Sequence, residues 1–450
     1  MSELLLDDST TDLLTSWAPP VATSAPAPSA AEASAFPPPP PEPESLEKAG
    51  LTADEVESLV LKTLLLSGAS SGAAVANQVC LPRTLVGATL SQLRDELLVS
   101  IKTAAGMNDF IFQLSEAGFA RARQHHQRSS YCGAAPVPLA VYDRAIRRQA
   151  ISQTKLSLPQ LQRALADMTL RPEFVSLIAQ AINDGRGMFL YGSPGNGKTT
   201  IAERICEAFG QTIWIPRMIG VGGDMLRLYD PSCHHAVEPP QLAATRHDRR
   251  WVLIRRPTVV VGGELTLEQL DPRYSAASGI SEAPVQMKAG GGVLVIDDFG
   301  RQRVSSTEIL NRLIVPLEKQ FDFLSLASGR QIQTPFELLF VLSTNLEPKQ
   351  LVDEAFLRRI PYKIEVHNPT EDQFREVFRK EAQKLQYQVE PGALDYLIAE
   401  HYSDLSRPLR FCQPRDLMRQ VKNYCEVLGR PKAVDRHTLD IAVRNYFVGI

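Results

Sequence analysis

Nine consecutive residues, Gly192-Ser193-Pro194-Gly195-Asn196-Gly197-Lys198-Thr199-Thr200, have the types and spacing of a phosphate cradle. Gly192 to Thr199 follow G-x-x-x-x-G-K-[ST]. Gly195 and Gly197 let successive backbone N–H groups converge on phosphate oxygens, along a path that side chains would block. Lys198 brings a mobile positive charge, and the Thr199 hydroxyl is suited to ligate Mg²⁺. An apolar run, Met188 to Tyr191, leads into the turn. A helix-forming stretch, Thr200 to Phe209, comes after it and aims its positive dipole end at the same anion. Strand, glycine turn and helix together predict nucleotide binding by all nine residues.

A phosphate cradle hydrolyses nothing without an acid to hold the metal and a group to orient water. Gly292-Val-Leu-Val-Ile-Asp-Asp-Phe299 supplies both. Its apolar run predicts a strand buried on both faces, as in a parallel sheet. Asp297, at its C-terminal end, would complete the Mg²⁺ shell with Thr199, and Asp298 would polarise the attacking water. Asp298-Phe299-Gly300 is no kinase signature, since neither H-R-D nor V-A-I-K accompanies it. The absence of an N-K-x-D guanine motif points to ATP over GTP.

With these two motifs in place, the chain resembles the AAA+ ATPases, P-loop enzymes that work as rings, over residues 155–450. Leu339-Phe-Val-Leu-Ser-Thr-Asn345 is similar to the sensor 1 strand, which implies that Asn345 sits between the two Asp carboxylates and the γ-phosphate. Asp353-Glu-Ala-Phe-Leu-Arg-Arg-Ile360 is similar to the segment ending in the arginine finger. Arg359 matches best, with Arg358 beside it, and the resemblance implies that it serves a neighbouring subunit's nucleotide. Gln413-Pro-Arg415 resembles the sensor 2 signature, which implies contact between Arg415 and the γ-phosphate of its own subunit. Many family members carry Glu where Asp298 stands. Asp is one methylene shorter, so water must sit closer, and a nucleotide switch with little turnover stays open as an alternative to hydrolysis.

More than eighty residues separate the first helix from Asp297, longer than a minimal core needs. Trp251 to Gly263 reads as two short strands around Arg255-Arg256-Pro257, expected as a hairpin. Phe323 to Thr334 reads as a second hairpin around Gly329. The layout resembles MoxR-type and enhancer-binding clades, in which such hairpins face the pore; surface embellishment is the alternative. No G-A-F-T-G-A loop is present, which disfavours an enhancer-binding activator.

The elements that position these residues occupy the second part of a 450-residue chain, long enough for two or three domains. Its 44% apolar and 22% charged content is that of a globular protein with a sizeable core. Eight acids against Lys48 alone give residues 1–50 a balance of −7. Of a formal net charge of −3, the rest of the chain therefore holds +4, too little to mark a polyanion binder. The six cysteines are scattered with no C-x-x-C pair, as expected of thiols in a reducing compartment. Cys233-His234-His235 has no second ligand cluster to complete a zinc site. With no signal-peptide pattern and no apolar run long enough to span a bilayer, a cytoplasmic protein without membrane insertion is expected.

Residues 1–49 are expected to be a disordered, acidic and Pro-rich leader, with Leu4 to Trp17 a docking peptide or a frayed terminus. Residues 50–130 show helical periodicity over 53–66, 73–79 and 84–98, then strands over 99–103 and 110–114. That order is the plan of a winged helix-turn-helix with 84–98 in the recognition position. Seven basic residues balance seven acids there, which favours a protein contact over DNA, although duplex DNA stays an alternative. A linker is expected over 131–154. The nucleotide-binding core, an α/β P-loop NTPase parallel sheet, is expected over 155–368, and an α-helical lid over 369–450. The expected function is an ATP- and Mg²⁺-dependent motor that remodels a protein client as a homohexameric ring. A DNA-associated loader or regulator is the alternative.

Overall fold

A computed structural model describes residues 36–447 except 107, 108, 154, 211, 244, 352 and 353. The docking peptide expected over Leu4 to Trp17, most of the Pro-rich leader and Asp353 lie outside the described residues. Pro38–Ile450 make up one compact unit.

The end of the Pro-rich segment is packed rather than free. The Pro40 carbonyl accepts from Asp248 N at 2.9 Å, and Pro43 is buried. Ser45 then caps α1 (Leu46–Ala49). A Thr52–Glu55 capping box, satisfying two orphan N–H donors, starts α2 (Ala53–Ser67). Next along the chain are β1 (Ala69–Ser71), α3 (Gly72–Val79), α4 (Arg83–Asp95), β2 (Val99–Gly106), β3 (Asp109–Leu114) and α5 (Glu116–Arg128). The third helix ends three residues before the expected Leu98. β1, which no pattern in the sequence announces, joins the β2–β3 hairpin in a sheet ordered β1-β3-β2. Val56, Val60, Leu64, Val75, Val86, Leu90 and Leu93 form the core of this α+β unit.

Within the stretch expected as a linker, residues 137–148 form a short strand and a helix, and Tyr131 N donates to the Ser278 carbonyl at 3.3 Å. Ser129 and Ser130 donate to the carbonyls of Ser278 and Ala277, both at 2.8 Å. β4 (Val137–Pro138) and α6 (Leu139–Arg148) come after them. The chain continues into α7 (Leu158–Ala164), α8 (Pro172–Asp184), β5 (Met188–Tyr191) and α9 (Lys198–Ala208).

The long insertion then forms β6 (Thr212–Pro216), β7 (Met218–Val221), β8 (Asp224–Arg227), α10 (Pro240–Ala243), β9 (Trp251–Arg255), β10 (Thr258–Val261), β11 (Arg273–Ser275), β12 (Ile280–Glu282) and α11 (Val285–Lys288). The hairpin expected around Arg255 is not formed. β9 pairs antiparallel with β6, whereas β10 pairs parallel with β13 (Val293–Ile296). Arg256 sits at the corner between two sheets, its guanidinium donating to the carbonyls of Gln149 (2.9 Å) and Gly291 (2.5 Å). Five short strands, ordered β11-β12-β8-β7-β4, make a second sheet.

Beyond β13 lie α12 (Ser306–Lys319), β14 (Phe321–Ser325), β15 (Gln331–Pro335), β16 (Leu339–Thr344), α13 (Pro348–Leu351), α14 (Glu354–Leu357) and β17 (Tyr362–Glu365). β14 and β15 form the expected hairpin around Gly329. The main sheet is parallel throughout, in the order β10-β13-β16-β5-β17. Its strands are apolar at successive positions because both faces are covered. Met188, Leu190, Val293, Val295, Leu339 and Val341 belong to one core, with α7, α8 and α9. Phe189, Leu294, Ile296, Phe340 and Leu342 belong to the other, with α12. This is a P-loop NTPase fold, with the first strand of the sheet between the fourth and the fifth.

The chain closes with α15 (Glu371–Lys384), β18 (Gln388–Val389), α16 (Ala393–Ile398), a π turn at Ala399–Ser403, α17 (Gln413–Val427), β19 (Ala433–Val434) and α18 (Arg436–Tyr446). The helices pack around Phe374, Phe378, Leu397, Leu417, Val421 and Leu439. No helix among the described residues is long and apolar enough to cross a membrane.

Candidate functional site

The strand order places the site. In an open α/β sheet, ligands bind outside the carboxyl ends of the strands where the strand order reverses. Here that place is the end of β5, flanked by β16 and β17. Gly192 to Gly197 leave β5 there and enter α9, whose first N–H groups have no intrahelical acceptor and face outward. Two glycines are required by close approach. A Cβ on Gly192 (φ +132°) would lie 2.5 Å from the Val366 carbonyl oxygen, and one on Gly195 (φ +80°) 2.5 Å from Cys412 Sγ.

The side chains converge across three strand ends. Lys198 Nζ donates to the carbonyls of Gly192 (2.9 Å) and Ser193 (3.1 Å) and to Asn345 Oδ1 (2.8 Å). Burial pushes its pKa below the usual lysine value, against the pull of Asp297 and Asp298, and the Arg410 charge adds to the depression. Thr199 Oγ1 donates to Asp297 Oδ2 at 2.7 Å. Asn345 Nδ2 donates to Asp298 Oδ1 at 2.8 Å, and Asp298 N donates to Asp297 Oδ1 at 2.9 Å. Asp298 adopts the left-handed region, φ +48°, which Asp tolerates better than most residues. Lys198, Thr199, Asp297, Asp298 and Asn345 thus form one connected group, and a cavity of 510 Å³ opens beside Gly192, Ser193 and Asn345.

Thr199 Oγ1 and Asp297 Oδ2 fit a magnesium ion. Their separation of 2.7 Å is close to the roughly 3 Å between adjacent oxygens of an octahedron with 2.0–2.1 Å bonds.

Arg358 and Arg359 lie elsewhere. They line a 620 Å³ cavity with Gly185 and Gly187, which precede β5, and Leu338, which precedes β16. That is the amino end of the sheet, opposite the glycine loop. Arg359 pairs there with Glu318 of α12 at 2.8 Å.

Arg415 is not drawn into the group. Its Nε donates to Asp416 Oδ1 at 3.2 Å, and its side chain is 55% exposed. The lid arginine packed against the loop is Arg410, which donates to Asn368 Oδ1; the buried Asn196 donates to the same oxygen at 2.8 Å. Cys412 N donates to the Gly195 carbonyl at 2.9 Å, and Phe411 N to Asn196 Oδ1 at 3.3 Å. Sequence reasoning misses this seam. Asn196 at a variable motif position and Asn368 just after β17 are its only marks in the chain. Both ring nitrogens of His234 are hydrogen-bonded, to Asp230 N (3.0 Å) and the Lys288 carbonyl (2.8 Å), so neither is open to a metal.

A family model described as a domain of unknown function (DUF8689) matches residues 370–445, the helical segment. Curated proteins give no match. Among solved structures, the chain is similar to a RuvB variant of Thermotoga maritima, at 13% identity and TM-score 0.37 over 64% of this chain and 70% of that one. It is similar to NtrX of Brucella abortus at 13% identity and TM-score 0.42, over 68% of this chain and 58% of that one. A model of magnesium chelatase subunits BchI and BchD matches at 17% identity and TM-score 0.32, over 61% and 92%. Likeness at this level assigns neither family nor activity.

Proposed function

We propose that the chain is an ATP-hydrolysing AAA+ motor that works as a closed ring, most simply a homohexamer, and remodels a protein client. The observation that carries this reading is the split of the catalytic set between the two ends of one sheet. Lys198, Thr199, Asp297, Asp298 and Asn345 gather at the carboxyl end, and Arg358 and Arg359 stand at the amino end. Arg359 therefore serves a nucleotide held by a neighbour, and the neighbour's own arginine completes this site.

In this reading Gly192 to Thr200 wrap the phosphates of ATP and Lys198 balances their charge. Asp298, held by Asn345, takes the hydrogen-bonding proton of an in-line water. Thr199 and Asp297 would hold a Mg²⁺ ion, which would supply neutralisation of charge on the phosphate oxygens. Arg415 is assigned a place at the γ-phosphate by resemblance alone, and from its position against Asp416 it would have to turn inward to take it.

Complementation in mixed rings tests the assignment. Lys198→Ala and Arg359→Ala proteins should each lose turnover, with Arg359→Ala still binding nucleotide. Mixed, they should regain activity, because an intact loop then meets an intact arginine across some interfaces. A mixture as inactive as its components would refute action in trans, and full hydrolysis by Lys198→Ala would refute the ATPase reading.

The α+β unit of residues 46–128 has the helix and strand order of a winged helix. A protein contact suits it better than DNA, because Arg83 and Arg94, the basic residues of α4, are each paired with an acid, Asp109 and Asp95. Salt-dependent binding of duplex DNA by the full chain, lost on reversing charge at Arg83 and Arg94, would favour the DNA-associated alternative.

A further inference from the structure

The α+β unit holds a group of side chains that the nucleotide chemistry does not use. Asp54 and Glu57 lie three residues apart on α2, hence on one face. His125 comes from the last turn of α5, which packs across the first turns of α2. One ligating atom from each of the three lies within 4.8 Å of the others, the one such grouping of His, Cys, Asp and Glu among the described residues.

An independent observation points to something between them. The His125 side chain is 9% exposed, and its Nε2 has no hydrogen-bond partner. Glu57 Oε1 is 3.6 Å away, too far for a hydrogen bond, and already accepts from Arg121 Nε at 2.8 Å. A buried polar atom left without a partner costs about 1–3 kcal/mol.

We propose that Asp54, Glu57 and His125 bind a divalent transition-metal ion, with Zn²⁺ the best fit. One imidazole nitrogen with two carboxylates is a borderline donor set that Zn²⁺ accepts, whereas Ca²⁺ and Mg²⁺ favour oxygen alone. With bonds of about 2 Å, a tetrahedral ion spaces its ligands by roughly 3.3 Å, so separations that now lie within 4.8 Å must close by up to roughly 1.5 Å. Asp54 supplies that movement, since it is exposed and lies in the first turn of α2. Water fills the fourth position from the open side. Arg121 stays on Glu57 Oε1 and orients the carboxylate, leaving Oε2 for the ion. The guanidinium and the amino end of α2 oppose a cation, and the carboxyl end of α5 favours one. The ion pins α2 to α5, a structural role independent of the nucleotide site.

Zinc titration of the chelator-stripped full chain, followed by calorimetry and thermal unfolding, tests the proposal. One equivalent of Zn²⁺ should bind and raise the unfolding temperature of the α+β unit, and a large excess of Mg²⁺ should not displace it. His125→Gln and Asp54→Asn should each weaken that binding by about tenfold or more. Asp54→Asn alters an exposed side chain, so its effect cannot be charged to misfolding. No stoichiometric Zn²⁺ binding, or binding of equal strength in both variants, would overturn the assignment.

Discussion

Asn345→Ala separates holding a nucleotide from turning it over. The amide joins the two halves of the site, accepting from Lys198 and donating to Asp298, both at 2.8 Å. After truncation Lys198 keeps the Gly192 and Ser193 carbonyls, so the loop and its charge stay in place. Asp298 loses the side-chain donor that fixes its carboxylate. A hydrogen bond to a charged group contributes about 1.5–3 kcal/mol. If that bond matters chiefly while Asp298 holds the water, turnover falls roughly 10- to 150-fold. Phosphate release at saturating ATP measures the fall, and ADP titration should give an affinity within about threefold of the parent by the same bookkeeping. Asn345→Asp should do no better, because it sets a second carboxylate against Asp298. Turnover within twofold of the parent, or ADP affinity falling in step with turnover, would refute this division of labour.

Other expectations rest on contacts outside that pair. Arg250→Ala should destabilise the chain by about 3–5 kcal/mol, since it leaves the buried Asp248 carboxylate unpaired and removes donors from the Ala49 and Pro136 carbonyls. Denaturant unfolding reads the loss, and the Asp248→Asn/Arg250→Met pair should recover part of it. Gly195→Ala should weaken nucleotide binding roughly tenfold, because a left-handed residue with a Cβ costs about 1–2 kcal/mol and its methyl meets Cys412; unchanged affinity would show that the lid yields freely. His234 gives a pH dependence of known sign. Burial holds its pKa below the ordinary 6.5, opposed by its bond to the Lys288 carbonyl and the Asp230 charge. The unfolded chain therefore takes a proton that the folded one refuses. The stabilisation is complete above about pH 6.5 and is lost as pH falls from there through the folded value. The unfolding temperature between pH 7.5 and pH 5 should drop more in the parent than in His234→Gln; parallel curves would count against it.

What is legible in the sequence is local. Gly192 to Thr199 and Gly292 to Asp298 carry their meaning within a strand and its turn, so spacing places Lys198, Thr199 and Asp297 together before any pairing is known. Arg255 misleads because Trp251–Arg255 and Thr258–Val261 look alike locally while their partners, β6 and β13, lie some forty residues away on either side. The Arg250 clamp has no signature, since its acceptors include two backbone carbonyls, which every residue possesses. Arg410 escapes for a similar reason. Its place beside the loop depends on Asn368 and Asn196, and the x-P-R pattern points to Arg415 instead.

The Arg249–Arg250 pair has a mechanical consequence. Arg249 donates to Asn77 Oδ1 at 2.5 Å and to the carbonyls of Ala76 (3.3 Å) and Leu81 (2.8 Å), at the end of α3. Arg250, two residues after Asp248, fixes Ala49 and Pro136, both at 2.8–2.9 Å. The two residues lead straight into β9 of the insertion. The α+β unit is thus bolted to the insertion of the α/β core rather than trailing from it on a leash. Load applied to the unit would reach β9 through these side-chain hydrogen bonds rather than through a length of unbonded chain.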